Sequence, residues 1–258
     1  MSKGLGSVEK ALDILCLFDF DNPKLSAQEI SDRLDIPLSS IYKYLDVLLK
    51  KGFIAKNDNS RQFILGLSIF HLLNVCIVGK KLIDIALPEM EFLWKETGET
   101  ILLTVVHDQE VMCLERILSN KLIKLSLERG EIKPMYAGAD GKVVLAYQEQ
   151  SFIEKFCSSV TIKKYTKNTP KNHSQLLEQL QQIRRQGYSI TDSEVDEGAI
   201  AVAAPIFNHK QKLIAAITIA GLKERTPFNV ISRWSELIVE KAISISRELG
   251  FSGKIPKN

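Results

Sequence analysis

The chain has 258 residues, of which 45% are hydrophobic and 25% are charged, and its net charge is +3. This length favours two domains over one, and the composition argues against a fibrous or disordered chain. The net charge is too small to indicate a nucleic-acid binder, but it is unevenly distributed. Residues 1–35 carry four Lys or Arg and seven Asp or Glu. Residues 36–61 carry five Lys or Arg and only two Asp or Glu. The positive charge is therefore local and begins after Asp35.

The first 66 residues contain patterns typical of three short helices and a hairpin. Apolar residues recur at helical spacing in SVEKALDILCLFD. Ser26 and Glu29 form an S-x-x-E capping box that predicts the start of a second helix. A tight turn at residues 36–37 precedes a third helix, predicted from about Ser39 to Lys51. Two apolar runs, FIAK and RQFIL, flank the turn residues NDNS and predict a hairpin. This order of elements is that of a winged helix-turn-helix domain, mostly α-helical with one β-hairpin.

The third helix has two distinct faces. Ile41, Leu45 and Leu48 share one apolar stripe, because a helix advances about 100° per residue. Its other face begins with small hydroxyl groups, phenols and one cation, the groups that reach base edges and phosphates in a major groove. Short polar residues also cap helices, and tyrosines often half-bury at a domain edge. The capped helix before it and the basic hairpin after it favour DNA binding.

The stretch FILGLSIFHLLNVCIVG, residues 63–79, contains no charged residue. Its 17 residues are at the short limit for a membrane span. Ser68, His71 and Asn74 recur every third residue and form a polar stripe, which favours a helix packed between protein surfaces. We therefore expect a protein that does not enter the membrane.

Residues 80–258 predict an α+β domain built on an antiparallel sheet. A helix is expected from about Ile83 to Thr97, followed by three strands with the sequences TILLTVVH, EVMCLERI and KLIKLSLE. Helical patterns follow at about 142–149, 151–157 and 174–186. AIAVAAPIF and LIAAITIAG predict a second hairpin, and a last helix is expected over about 229–249, packed with the first helix of this domain.

The chain contains four well-separated cysteines and four scattered histidines: Cys16, Cys76, Cys113, Cys157, His71, His107, His173 and His209. Without a CxxC pair or a secretory signal, reduced thiols in a cytoplasm are expected. A zinc site needs clustered ligands, so we expect neither a metal nor a cofactor.

Several extended motifs, in this order, resemble those of the IclR-type bacterial transcriptional regulators. The N-terminal motifs are SVEKALDIL, LSAQEISDRLDIPLSSIYKYLDVLLKKGFI and FILG. The C-terminal motifs are LPEMEFLWKETGETILL, PMYAGADGKVVLAY, GYSITDSEVDEGAIAVAAPIF and AAITIAG. The resemblance covers nearly the whole chain. It implies a DNA-binding domain over residues 1–66, a linker helix over 67–80 that helps dimerisation, and a GAF-like effector-binding domain over 81–258.

The resemblance also implies partners and site residues. The partners are double-stranded operator DNA, a small carboxylate effector, and a second copy of the chain in a homodimer or a dimer of dimers; enzymatic activity is not expected. The implied DNA contacts are Ser39, Ser40, Tyr42 and Lys43 on the third helix, with Lys56 and Arg61 from the wing. Many relatives carry Arg where Lys43 stands, and Lys lacks the planar fork that reads guanine with two hydrogen bonds.

By the same resemblance, eleven residues surround the effector: Leu122, Leu125, Ala139, Asp140, Gly141, Thr191, Asp192, Ala199, Ala201, Thr218 and Ala220. GADGK, residues 138–142, is too short for a nucleotide-binding loop, but a helix start there would attract a carboxylate. Relatives that bind very small keto acids carry hydroxyl or thiol groups at Ala201 and Ala220, and a small residue at Asp140.

An ionised Asp140 would repel an anionic effector unless it accepts hydrogen bonds from ligand hydroxyls, is protonated or points away. We therefore expect an effector larger or more hydroxylated than glyoxylate or pyruvate, either a sugar acid or an aromatic acid. The alternative is that Asp140 is a surface residue that caps the helix.

Two other classes of protein are weighed against a regulator. In an enzyme, Cys157 or Cys113 would act with a histidine, but no local motif supports either pairing. In a ligand-binding module whose helical domain contacts only proteins, DNA affinity would be absent.

Overall fold

The computed structural model describes residues 5–57, 60–75, 77–122, 125 and 127–253. The chain forms two compact units, Met1–Lys80 and Lys81–Asn258. The elements of the first unit are α1 (Leu5–Cys16), β1 (Leu25–Ser26), α2 (Ala27–Leu34), α3 (Leu38–Lys50), β2 (Ile54–Lys56), β3 (Gln62–Leu65) and α4 (Leu67–Val75).

The predicted faces and caps of the first helices are confirmed. Ile41, Leu45 and Leu48 of α3 are buried in a core that α1, α2 and the sheet complete. Ser26 Oγ accepts a hydrogen bond from the Glu29 backbone N–H at 3.2 Å, and Glu29 Oε2 accepts one from the Ser26 N–H at 2.7 Å. This reciprocal box satisfies two donors that the helix start would otherwise leave without a partner.

The predicted hairpin is present, and it belongs to a slightly larger sheet. β3 pairs antiparallel with β2 on one side and with β1 on the other, where Leu25 lies opposite Phe63. The sequence did not predict β1, because two residues are too few to establish an alternating pattern. Residues 58 and 59 of the predicted turn lie outside the described residues.

The apolar stretch over residues 63–79 is divided between elements. Its first residues belong to β3, Leu67–Val75 forms α4, and residue 76 lies outside the described part of the chain. No helix among the described residues is long and apolar enough to cross a membrane. The next helix begins at Ile77, earlier than the predicted Ile83, because an isolated glycine such as Gly79 is tolerated inside a helix.

The elements that lie wholly or mostly in the second unit are α5 (Ile77–Thr97), β4 (Thr100–His107), β5 (Glu110–Ile117), β6 (Ile132–Pro134), α6 (Ala139–Ala146), α7 (Gln150–Ser159), α8 (His173–Gln186), β7 (Ser189–Asp192), β8 (Ala199–Phe207), β9 (Leu213–Leu222), a short 3₁₀ helix (Lys223–Arg225) and α9 (Phe228–Glu248). Across the described residues, the six strands form one sheet in the order β6-β5-β4-β9-β8-β7. The pairings between adjacent strands are antiparallel, which confirms the predicted α+β architecture.

Helices cover both faces of this sheet. α5 and α9 pack together on one face, against residues such as Ile101, Val202 and Ile217. α6, α7 and α8 form a second core with Ala203 and Ala216 on the other face. Because neighbouring residues of a strand point to opposite faces, β8 and β9 each contribute to both cores.

The predicted third strand, KLIKLSLE, is wrong for its described residues. Lys121, Leu122, Leu125, Leu127 and Glu128 are not in a strand, and residues 123, 124 and 126 lie outside the described residues.

The free edge of β5 is instead occupied by the residues that follow this segment. Glu131 O accepts from the Cys113 N–H at 2.9 Å, Gly130 donates back to Cys113 O at 2.7 Å, and β6 continues the pairing. β7 was also not predicted, because four residues before a loop give a weak pattern.

Candidate DNA-binding helix and ligand cavity

The residues on the outer face of α3 are accessible. Ser39, Tyr42 and Lys43 are exposed, with 55% of the Tyr42 surface accessible, and Ser40 is half-buried. Asp35 adopts a left-handed conformation, with φ of 51°, between α2 and α3. Ser31 Oγ donates to Ile36 O at 2.6 Å in the same turn. The turn thus holds the start of α3 against α2 while the polar face remains open to solvent.

The wing adds positive charge on exposed positions. Lys56 ends β2 and Arg61 precedes β3, and both side chains are exposed. The antiparallel pairing of Lys56 with Phe63 fixes the position of the Lys56 backbone at the end of β2. Helix and wing thus present the hydroxyl, phenol and cationic groups that the sequence predicted. Their contacts with DNA stay a prediction.

A cavity of about 360 Å³ lies in the second unit, between the sheet and the start of α6. Its floor comes from alternating positions of three adjacent strands: Thr100, Leu102, Ala199, Ala201, Thr218 and Ala220. The register explains this grouping, because Thr100 lies opposite Ala220 and Leu102 opposite Thr218. Three alanines leave space above the sheet that larger side chains would fill.

One wall of the cavity contains a buried ion pair. Asp140, in the first turn of α6, is 2% exposed, and its Oδ2 lies 2.9 Å from Lys133 Nζ. The alternative that Asp140 is a surface residue capping the helix is therefore wrong. Gly138 precedes the helix with φ of 86° and acts as its N-cap, so no side chain caps α6.

A second buried pair supports the same wall. Glu194 Oε1 pairs with Lys142 Nζ at 2.5 Å, and Glu194 Oε2 accepts from the Gly138 N–H at 3.2 Å. Thr169 Oγ1 donates to Glu194 O at 2.7 Å. Burial lowers the pKa of Lys142, and the adjacent Glu194 carboxylate opposes this effect. Glu194 therefore joins the start of α6 to the loop after β7.

Polar groups without charge also line the cavity. Thr218 is 1% exposed, and its Oγ1 has no hydrogen-bond partner among the described residues. Burial and the Tyr136 hydroxyl raise the pKa of Tyr165 to about 12. A buried hydroxyl without a protein partner is unusual and indicates a group supplied by water or ligand.

The structure brings together eight of the eleven predicted effector residues: Leu125, Ala139, Asp140, Thr191, Ala199, Ala201, Thr218 and Ala220. It places the other three elsewhere. Leu122 is fully exposed, and Asp192 pairs with Lys223 outside the cavity lining. A Cβ at Gly141 would lie 2.6 Å from Pro134 O, so Gly141 permits close packing of α6 rather than lining the cavity.

Sequence reasoning missed several lining residues: Thr100, Leu102, Leu127, Lys133, Tyr165 and Glu194. Glu194 lies within one of the motifs that resemble the IclR family, and Lys133 directly precedes another. These motifs could have indicated both residues. Tyr165 lies in a stretch without regular structure, and no pattern in the sequence indicates its position.

A larger hollow of about 860 Å³ lies beside α5 and β5. Two arginines of its lining pair with glutamates: Arg116 with Glu128, and Arg129 with Glu115. The smaller cavity contains the buried Thr218 hydroxyl that lacks a partner. We therefore take the smaller cavity as the candidate ligand site.

The proposed cysteine nucleophiles are in unfavourable surroundings. Burial raises the pKa of Cys113 to about 11 and also raises the pKa of Cys157. Both shifts favour the thiol over the reactive thiolate. Cys16, Cys113 and Cys157 are free thiols, and the side chain of Cys76 lies outside the described residues.

Comparisons with known proteins agree with this architecture. Residues 7–58 match the IclR helix-turn-helix domain, and residues 76–247 match the family described as bacterial transcriptional regulator IclR C-terminal. The HTH-type transcriptional regulator KipR of Bacillus subtilis is 27% identical over 246 residues, which cover 95% of this chain and 98% of KipR.

Solved structures have the same fold. The Thermotoga maritima IclR structure is 27% identical with a TM-score of 0.72, over 96% of this chain and 100% of that chain. An IclR homologue of Microbacterium hydrocarbonoxydans, complexed with 4-hydroxybenzoate, is 21% identical with a TM-score of 0.85, over 94% of this chain and 98% of that chain. These relatives are transcriptional regulators and not enzymes. The chain belongs to the IclR family of DNA-binding bacterial transcriptional regulators.

Proposed function

We propose that this regulator binds operator DNA through α3 and the wing, and that a small organic acid in the cavity changes that binding. The observation that carries the proposal is the cavity at the start of α6, where buried polar groups line a space bounded by small residues. Backbone N–H groups at a helix start attract a carboxylate. The ligand is a sugar acid or an aromatic acid, and the homologue that binds 4-hydroxybenzoate supports this class.

The proposed DNA contacts combine base reading with phosphate binding. Ser39, Ser40, Tyr42 and Lys43 enter the major groove on α3, and Lys56 and Arg61 hold the phosphate backbone from the wing. Their exposure supports this assignment. Lys43 supplies a point charge, which binds one acceptor at a time.

The first experiment selects binding sites from random duplexes with purified protein at physiological salt. Recovery of a near-palindromic sequence is expected, because a symmetric dimer presents two recognition helices to two half-sites. Failure of a folded protein to enrich any sequence would contradict the proposal.

Lys43→Ala then tests the role of α3. We expect operator affinity to fall about tenfold or more. If Lys43 contacts phosphate, the slope of log affinity against log salt concentration should become less steep by about one. Lys155→Ala removes the same charge from an exposed position on α7 and should leave affinity unchanged. Equal effects of the two substitutions would exclude a specific role for Lys43.

We further propose a homodimer or a dimer of dimers, in which α4 transmits the effect of the ligand to the spacing of the two recognition helices. Leu67 and Leu73 of α4 are 85% and 68% exposed in the single chain, which supports burial against a second copy. Sedimentation of the Leu67→Ser, Leu73→Ser double variant should show weakened association. Small-angle scattering with and without ligand should differ, and identical curves with unchanged DNA affinity would exclude this coupling.

A further inference from the structure

The segment between α7 and α8 carries a concentrated positive charge. Residues 160–172 contain no Asp or Glu and four lysines: Lys163, Lys164, Lys167 and Lys171. All four side chains are exposed, and among the described residues none of them forms an ion pair with a carboxylate. Ammonium groups held close together repel one another, and solubility requires only charges of mixed sign. The cluster therefore indicates a surface that binds an anion.

Three of these lysines surround a small hollow of about 200 Å³. Its lining consists of Ile162, Thr169 and Pro170 together with Lys164, Lys167 and Lys171, so the charged groups that line it are all basic among the described residues. Lys163 lies instead over the ring of Tyr165, with 5.5 Å between Nζ and the ring centroid. The volume equals that of about seven water molecules in the liquid, which is enough for a phosphate group and the first atoms of the molecule that bears it.

Hydrogen bonds hold the backbone that carries these lysines. Thr169 Oγ1 accepts from the backbone N–H groups of Tyr165 at 3.1 Å and of Thr166 at 2.9 Å. Gln175 Oε1 accepts from the Lys171 N–H at 2.8 Å. The ammonium groups around the hollow therefore extend from fixed backbone positions, which lowers the entropy cost of gathering them around an anion.

The same segment is joined to the wall of the ligand cavity. Thr166 Oγ1 donates to Ser193 O at 2.5 Å, and Thr169 Oγ1 donates to Glu194 O at 2.7 Å. Glu194 and Tyr165 line the cavity, whereas the three lysines line the hollow. The hollow is therefore a separate space whose supporting residues also support the cavity.

The charge of the hollow matches a phosphate monoester better than a carboxylate. A monoester carries a charge of about −1.5 to −2 at pH 7 and offers three strong acceptor oxygens. Lysine is a frequent phosphate ligand, because it supplies a point charge with rotatable donors. A monocarboxylate has a single charge and two oxygens, and would leave an ammonium group of the hollow without a partner. The phosphates of nucleic acid carry one charge each, and a hollow receives the end of a small molecule more readily than a continuous strand.

We infer that this hollow is a second ligand site, in which Lys164, Lys167 and Lys171 bind the phosphate group of a small phosphate monoester. The inference goes beyond the proposed function, because neither the cavity at the start of α6 nor the DNA-binding helix takes part in it. A phosphate bound there contacts the segment that Thr166 and Thr169 attach to the cavity wall.

The test is calorimetry of the full-length protein at low salt, with methyl phosphate as the probe. We expect saturable binding that weakens as sodium chloride is added, because exposed charges are screened. Dimethyl phosphate, a diester with a single charge, should bind at least about fivefold more weakly. Malonate matches the charge of the monoester but presents carboxylates, and it should also bind more weakly than methyl phosphate.

The double variant Lys164→Gln, Lys167→Gln assigns the binding to the hollow. We expect it to bind methyl phosphate at least about tenfold more weakly, because two of the three cations are lost. The matched control is Lys155→Gln, Lys210→Gln, which also removes two exposed lysines but lies outside the lining, and it should bind methyl phosphate as the unchanged protein does. Thermal unfolding checks that both variants fold.

Operator DNA distinguishes the two sources of phosphate. The Lys164→Gln, Lys167→Gln variant should bind operator DNA as tightly as the unchanged protein, and a parallel loss of DNA affinity would assign these lysines to the nucleic-acid backbone and overturn the inference. It is also overturned by the absence of saturable methyl phosphate binding, by equal effects of the two double variants, or by dimethyl phosphate or malonate binding as tightly as methyl phosphate. Failure of the unchanged protein to bind any DNA would instead contradict the proposed function, and the calorimetric comparison would remain interpretable.

Discussion

The second unit contains charged side chains that are buried in pairs, and its stability depends on both partners of such a pair. Lys142 and Glu194 pair inside the protein, with side chains 3% and 8% exposed, whereas Lys223 and Asp192 pair near the surface with 54% and 40% exposed. The two pairs have similar geometry, but water screens only the second. Removing one partner should therefore lower the free energy of unfolding much more in the buried pair than in the exposed pair.

Lys142→Met should lower the free energy of unfolding by about 3–5 kcal/mol, because the Glu194 carboxylate stays buried without its cation. Lys223→Met should lower it by at most about 1 kcal/mol. Urea unfolding measures both, and the double variant Lys142→Met, Glu194→Gln should recover much of the loss. Similar losses for Lys142→Met and Lys223→Met would show that the buried pair is screened or relaxes.

The thiols provide a second prediction at the residue scale. Cys113 is 1% exposed and its pKa is raised to about 11, whereas Cys16 is exposed. The folded state keeps the proton on Cys113, so the contribution of this thiol to stability is present below pH 9 and is lost as the pH rises towards 11.

At pH 8, iodoacetamide should therefore modify the exposed Cys16 much faster than Cys113, because raising the pKa of Cys113 from 9.0 to about 11 lowers its own thiolate fraction about 100-fold and burial limits access to it. Peptide mass mapping over time measures both rates. In urea, the rates should become similar. Rapid modification of Cys113 in the folded protein would show that this region opens easily.

Helix α6 illustrates how one element depends on another. It packs so closely on the segment after β6 that a Cβ at Gly141 would lie 2.6 Å from Pro134 O and 3.0 Å from Met135 Cα. Both are backbone atoms that cannot rotate away. Because Asp140 precedes Gly141, this contact also sets the position of the cavity wall.

Gly141→Ala should thus destabilise the protein by about 1–3 kcal/mol through overpacking and should weaken ligand binding. Gly6→Ala is the matched control, since nothing lies within 4 Å of a Cβ at Gly6 in α1. In a helix this change should be neutral or stabilising by up to about 1 kcal/mol. Thermal unfolding compares the two variants, and a neutral Gly141→Ala would mean that α6 can shift without loss.

At the scale of the whole molecule, the two units have separate hydrophobic cores. The first unit buries Ile14, Ile30 and Ile41 together. The sheet of the second unit carries a core on each face. A unit with its own core is expected to fold without the other.

A fragment of residues 77–258 should therefore unfold cooperatively in urea and bind the ligand with the affinity of the full-length protein, but should not bind operator DNA. Circular dichroism and calorimetry measure the first two properties, and a DNA mobility shift measures the third. A fragment that is unfolded, or that binds ligand much more weakly, would show that the first 76 residues complete the second unit.

The sequence by itself determined the elements with strong local patterns and, through its motifs, the family. The capping box at Ser26, the stripe on α3, strands β4 and β5, and the long hairpin all follow from residues close together in the chain. Periodicity and capping act within a few residues, and such signals are visible without a fold.

Only the tertiary structure decided which residues line the cavity and how they are paired. Lys133 and Asp140 come from different elements, and Glu194 reaches Lys142 across 52 positions of the chain. The edge of β5 pairs with residues 130–134 rather than with the predicted strand before them. Such pairings depend on which of several distant segments binds the same partner most favourably. A local sequence pattern does not contain this information.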